Sequence, residues 1–366
     1  MNKLQKSSVI LTLFCAGFLA VGMIIKPQLC IESAKSAVEL CLTVVVPSLF
    51  PFFICSGLFV ALGLAYWVGR ALSPIMRPLF RVPGSGALAF VLGIVSGYPV
   101  GAKCAVDLYR SGECTKTEAE RLLAFCNNSG PLFIMGAVGV GMLQNPQIGR
   151  VLYLSHLLSA LVTGLLFRFY GRDIQNSRAL PPSKPQEIGS VGSALGDVIS
   201  GAVDTMLKVC AFVLVFSVFG ALLPQIPQRG VIYGFLEITG GIRAWIAGGA
   251  GRTFFLPAIS FFLAFSGISV LLQVSSIVTP GGLSMFPYVA GKLIQGGLSF
   301  LFTILLLRWI PVDTAAFSAH YVIPAQVIPT PWNAFLLSLL MIGWCVLSIL
   351  ILCALVWVYE RFSKNK

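Results

Sequence analysis

The chain has 366 residues, 57% of them hydrophobic and only 10% charged, with 25 Lys and Arg against 13 Asp and Glu for a net charge of +12. A water-soluble domain carries about 25% charged residues, and too few polar side chains remain here to cover an aqueous core of this size. Together with a mean hydropathy of +0.90, this excludes a soluble globular protein and makes the bilayer the solvent.

The cations are dispersed between hydrophobic runs, an arrangement that suits anionic headgroups and topology control rather than a stripe tracking phosphates, so membrane lipid is the expected partner and nucleic acid is not. The ten cysteines lie mostly inside apolar stretches with no Cys-x-x-Cys pair, and read as small apolar residues. With two histidines, His156 and His320, and no acidic cluster, no metal-ligand spacing and no nucleophile-base pair is present. Neither an enzyme nor a cofactor is expected.

A membrane-spanning helix needs about 20 apolar residues. Ser8 to Ile25, preceded by Lys3 and Lys6, qualifies; no small-x-small cleavage site follows and Phe14 spoils a lipobox before Cys15, so it is expected to be a retained first helix. Leu40 to Val68 is charge-free, interrupted by Pro47 and Pro51, and Arg70, Arg77 and Arg81 beyond it suggest a cytoplasmic surface segment. Val82 to Ala102 is studded with Gly84, Gly86, Gly93, Gly97, Pro99 and Gly101, which argues against one continuous helix. The mixed charges from Asp107 to Arg121 read as a solvated loop opening a helix at Thr115 or Thr117. Leu122 to Gly149 is then broken at Asn127-Asn128-Ser129-Gly130-Pro131, and Val151 to Phe167 returns across the membrane.

Arg168, Arg172, Arg178 and Lys184 with three prolines mark a cytoplasmic linker. Beyond it come an apolar run from Val209 to Leu223, a Gly-rich connection, and an uncharged stretch from Thr253 to Gly291 that Ser266-Gly267 and Pro280-Gly281-Gly282 divide. Leu293 to Leu307 completes a span begun near Pro287, and Phe335 to Val358 is a last helix. The total is eight to nine membrane segments, two of them re-entrant or broken. An odd number would leave Arg361, Lys364 and Lys366 outside, against the positive-inside rule.

The two halves repeat. Ala37-Val38-Glu39 matches Ala202-Val203-Asp204 at an offset of 165, and Ser96-Gly97 matches Ser266-Gly267 at an offset of 170. With a cytoplasmic amino terminus the halves are inverted relative to each other, and inverted repeats with broken segments at corresponding positions are the signature of many secondary transporters. The expected fold is therefore all-α and polytopic, with two inverted repeats. Its expected divisions are residues 1–36 (first helix and loop), 37–168 (first repeat), 169–197 (linker), 198–308 (second repeat) and 309–366 (loop, helix and tail).

Three motifs, Val46-Pro47-Ser48-Leu49-Phe50-Pro51-Phe52-Phe53, Ser96-Gly97-Tyr98-Pro99-Val100-Gly101-Ala102-Lys103 and Cys126-Asn127-Asn128-Ser129-Gly130-Pro131-Leu132-Phe133, together resemble the YlbJ-type sporulation integral membrane proteins of endospore-forming bacteria. Their broader class is the nucleoside-recognition or Gate domain, similar to segments of ferrous-iron permeases and concentrative nucleoside transporters. The resemblance implies a plasma-membrane or forespore-membrane protein needed for the spore and its cortex, with a transporter-like fold. The chain lacks the hairpin glutamates of the nucleoside carriers and the GTPase module of the iron permeases, so neither activity carries over.

Candidate binding residues cluster at the breaks: Ser96, Gly97, Tyr98, Asn127, Asn128 and Ser129, with Ser266, Gly267, Ser269 and Gln273 as the mirrored element. Non-helical backbone at membrane depth needs protein or a water-filled cavity to satisfy its amides, and the helix ends it leaves can bind a solute. The competing reading is that Gly and Pro serve close helix packing while the asparagines cap the break. Glu39, Asp204 and Glu237 are candidate ion or proton sites, or helix-terminal acids without one. Lys103 reads as snorkelling to the headgroups. Two functions follow: a carrier that moves or recognises a small polar solute, or a non-transporting assembly factor partnered by other sporulation membrane proteins or by copies of itself.

Overall fold

The computed structural model describes residues 3–61, 64–171, 191–223, 229–247 and 255–310, and among these residues every element is helical. Helix α1 (Lys3–Ile25) turns by 111° into α2 (Pro27–Leu40). Pro27, which has no N–H to give, stands at the first position of α2, where none is required. The chain runs on through a π-helical turn, π1 (Cys41–Val45), into α3 (Val46–Ala61), then α4 (Leu64–Phe80), α5 (Gly86–Ser96), α6 (Val100–Arg110) and α7 (Lys116–Cys126). A longer π-helix, π2 (Leu132–Met142), and α8 (Pro146–Phe167) close the first half. The second contains α9 (Val191–Leu222), α10 (Arg229–Leu236), α11 (Ile238–Ala247), α12 (Phe255–Phe265), α13 (Gly267–Val278) and α14 (Phe286–Trp309).

Among the described residues four helical stretches are long and apolar enough: α8, α9 from Leu195, α12 with α13, and α14, or five if the bent pair α1 and α2 is one span. Helices α5 and π2 have 11 residues each, about 16 Å of α-helix against a hydrocarbon core of about 30 Å. They are apolar but too short to span it alone. Ser266-Gly267 and the turn at Pro280–Gly282 divide the long uncharged run where the sequence indicated. Phe335 to Val358 and the basic tail lie outside the described residues. Helix α9 begins at Val191, and residues 172–190 of the expected linker lie outside the described residues.

The halves follow the same order. A long helical stretch (α2 to α3, or α9) precedes a first broken pair (α5 and α6, or α10 and α11), a second broken pair (α7 and π2, or α12 and α13) and a closing span (α8, or α14). The long stretches pack on each other and so do the closing spans. In this order Ser96-Gly97 is the first break of its half and Ser266-Gly267 the second, a different register from the match at an offset of 170. In order of elements, Gly97 answers to Glu237, and Asn127–Pro131 to Ser266-Gly267.

The charged run is solvent-facing only in part, with Arg110, Ser111, Gly112 and Lys116 exposed. Thr115 does cap α7, in a capping box with Glu118, as expected, but Glu120 and Arg121 are buried. Glu120 accepts from Ser284 N at 2.9 Å and from the Tyr170 hydroxyl at 3.1 Å, and Arg121 donates to the carbonyls of Tyr170 and Arg81 at 2.8 Å each. Burial, then the Glu120 carboxylate, push the Tyr170 phenol above its ordinary range. The bond from Ser284 ties the first half to the α13–α14 turn, and the others hold the end of α8 and Arg81 to α7. Glu120→Ala leaves two donors unmet and is expected to cost about 1–3 kcal/mol, read as a lower thermal midpoint in detergent with unchanged helix content. Lys103 pairs with Asp107 at 2.7 Å, one turn on.

Candidate functional site

The site is built where two helix breaks meet. Helix α5 ends at Ser96, and Gly97, at φ +93°, carries the chain through the cis Tyr98–Pro99 peptide into α6. Helix α7 ends at Cys126, Asn127 is extended, and Pro131 leads into π2. The tips touch: a β-carbon at Gly97 would meet the backbone nitrogen of Gly130 at 2.9 Å. Behind them, Gly93 of α5 and Gly101 of α6 flank the Cys126 carbonyl so closely that a methyl at either would overlap its oxygen.

Backbone freed by these breaks must find partners inside the protein. Asn127 accepts from Ala102 N at 3.3 Å through Oδ1 and donates to the Tyr288 hydroxyl at 3.0 Å. Asn128 donates to Phe125 O at 2.8 Å and accepts from Gln295 Nε2 at 2.9 Å. Ser129 N donates to His156 Nε2 at 3.2 Å, and its hydroxyl donates to Leu263 O of α12 at 2.9 Å. Gln295 Oε1 in turn accepts from Lys292 Nζ at 2.7 Å. Asn127, Asn128, His156, Lys292 and Gln295 are each fully buried. Serine and threonine extend this polar seam along the closing spans: Thr303 Oγ1 of α14 lies 2.9 Å from Ser155 Oγ of α8, Ser299 Oγ lies 2.7 Å from Ser260 Oγ of α12, and Ser159 and Thr163 bond carbonyls of their own helix.

The structure thus joins the predicted Ser96, Gly97, Asn127, Asn128 and Ser129 to Tyr288, Lys292 and Gln295 of α14 and His156 of α8, which the sequence reading omitted. One signal could have found them. Tyr288, Lys292, Gln295, Ser299 and Thr303 recur at spacings of three and four, a polar stripe on one face of an apolar helix, and an ionisable residue within such a helix is a functional candidate by default. Tyr98, half-buried, has its phenol beside Ser129 with Glu237 in electrostatic range.

The remaining predicted residues divide. Ser266, at φ +74°, and Gly267, at φ +79°, form the second break of the other half, which backs onto Leu236 and Ile238 at the α10–α11 break. Ser269 and Gln273 are buried and bond each other at 3.4 Å, apart from the Lys292 network. Glu237 accepts from Thr239 N and Gly240 N at 2.8 and 2.7 Å, so it caps α11. Asp204 is exposed and pairs with Lys208 at 2.6 Å. Glu39 is exposed on α2. The recurrence of an acid at one repeat position therefore places no carboxylate in the cluster: α2 and α9 pack on each other while these two side chains point away.

Short apolar helices break and pack tip to tip around a buried polar cluster within a polytopic helical membrane protein, and residues 42–167, which hold these breaks, match the Gate domain, described as nucleoside recognition. The chain is 35% identical over 336 residues, 81% of its length and 82% of the relative's, to a sporulation integral membrane protein, YlbJ, of Bacillus subtilis. It belongs to that family of sporulation integral membrane proteins. An uncharacterised protein of Alkalihalophilus pseudofirmus is 27% identical over 128 residues, 33% of this chain and 27% of that one. No solved structure matches.

Proposed function

We propose that this protein recognises a small polar solute bearing negative charge at the buried cluster and moves it across a membrane of the sporulating cell by alternating exposure of its two halves. One observation supports this above the others. Lys292 is fully buried in a membrane helix, donates to the neutral Gln295, and forms no ion pair among the described residues. Charge at that depth is costly and marks solute or ion pathways. A negative group on the solute supplies the counter-charge that the protein withholds, and the Asn128–Gln295 amides orient it.

The shared order of elements supports two halves able to rock against each other about a fixed site, as inverted repeats do. The reading involves binding and conformational change and no covalent step, so the protein is not an enzyme on this view. Its place is the cell membrane that becomes the forespore or mother-cell membrane, and its product is the supply of solute that maturation of the spore and its cortex require.

A second reading has an observation of its own. The amides of Asn127 and Asn128 each accept one hydrogen bond and donate one within the protein, as they would in an assembly factor that uses the breaks for rigidity alone. Replacing Ser96, Asn127 and Asn128 together with alanine separates the two. A carrier loses heat-resistant spores while the variant still inserts into the membrane, whereas an assembly factor that inserts keeps supporting them. Normal spores from the triple variant, with no passage of anions by purified protein in liposomes, would end the carrier reading.

A further inference from the structure

We infer that His156 is a second recognition group for this solute, its Nδ1–H donating to an acceptor atom that the solute carries beside its negative charge. The inference rests on the reading proposed above. Ser129 N–H donates to Nε2 of His156, so Nε2 must present a lone pair, and the ring's proton then resides on Nδ1. Nδ1 is buried and meets no acceptor among the described residues. Such a donor costs about 1–3 kcal/mol when left unmet, and natural structures rarely leave one without a purpose.

Its surroundings make the omission pointed. The amide groups of Asn127, Asn128 and Gln295, and both the N–H and the hydroxyl of Ser129, have found partners, while the Ser96 hydroxyl on the other side of the break has not. Lys292 lies within electrostatic range of the ring. Its ammonium has three N–H groups and a single acceptor in Gln295. The cluster therefore holds an excess of donors from α8 and α14 with no acceptor to match. That chemistry fits a solute with an anionic oxygen for Lys292 and a second, neutral acceptor for His156.

The test uses two monoanions of similar size on the full-length protein in detergent at matched ionic strength: pyruvate, whose carbonyl oxygen adjoins the carboxylate, and propionate, which lacks it. Pyruvate is expected to bind about fivefold more tightly than propionate, the effect of one added hydrogen bond, read from concentration-dependent thermal midpoints. His156→Leu should abolish the preference and keep propionate binding; Lys292→Gln should abolish both. Independently of any change at position 156, His320→Gln leaves one imidazole in the chain. In the ¹⁵N-histidine-labelled protein its Nδ1 resonance should be that of a protonated nitrogen and should move with pyruvate but not propionate. Equal binding of the two anions with an unmoved resonance would overturn the role of His156 and leave the anion site standing. Failure of both anions to bind would overturn the role of His156 and the anion site together.

Discussion

Valine at Gly101 should keep the protein from folding. Helices α5 and α6 close on the last carbonyl of α7 like two fingers, with Gly93 on one side and Gly101 on the other, and the atoms a side chain would strike are backbone atoms of Cys126 and Gly93. Backbone cannot turn aside as a rotamer can. The neighbouring break depends on the same approach, because Asn127 reaches Ala102 N only from this distance. Overpacking against backbone is expected to cost about 3 kcal/mol or more, seen as loss of monodisperse protein after detergent extraction. Gly136→Ala in π2, where an added methyl meets nothing within 4 Å, is the control and should stay within about 0.5 kcal/mol of the parent.

Lys292→Met should act in the opposite sense on stability and function. The methionine keeps most of the side-chain volume and removes a buried amine whose single partner is Gln295 Oε1. Loss of that one hydrogen bond is offset by relief from burying a polar group, so the thermal midpoint should hold or rise. The solute, having lost its counter-charge, should bind more weakly by about 2–5 kcal/mol, or roughly 30-fold to several thousandfold. Heat-resistant spores should fall accordingly in a strain carrying only this variant. A stable Lys292→Met protein that supports a normal spore count would show the amine to be a packing element.

The breaks were legible because their residues have no other good use: Gly97 at positive φ, two prolines, and adjacent asparagines in an apolar run admit little besides an interruption. The long division of residues 253 to 291 was legible for the same reason. Lys292 was not, and the cause is physical. A lysine in a hydropathy reading marks where a span ends, on the premise that an ammonium must reach water. Helix α14 instead lays the residue against α7, where Gly291 lets the backbones come close to Ala124, so that a lysine inside the span begun near Pro287 is buried. His156 was hidden likewise, since its partner Ser129 is 27 residues away and only the packing of α8 on the break unites them. The acids misled through local pattern. Asp204 with Lys208 is an i,i+4 pair on a helix face, which needs no repeat to explain it. The fold class and family followed from composition and motif, whereas the order of the breaks within each half required the helices themselves.

Hydrogen exchange of the protein in lipid nanodiscs tests the central claim most directly, that the break around Asn127–Pro131 opens to water as a unit. The amides of Ala102 and Ser129 are held by site side chains, Asn127 and His156, whereas those within α8 are held by their own helix. Peptides covering residues 97–102 and 127–133 are expected to exchange through a local opening, faster than peptides from α8 by orders of magnitude, and to slow when an anion occupies the site. Exchange of those peptides at the rate of α8, unchanged by any anion, would mean that the cluster stays closed and dry until the whole protein unfolds.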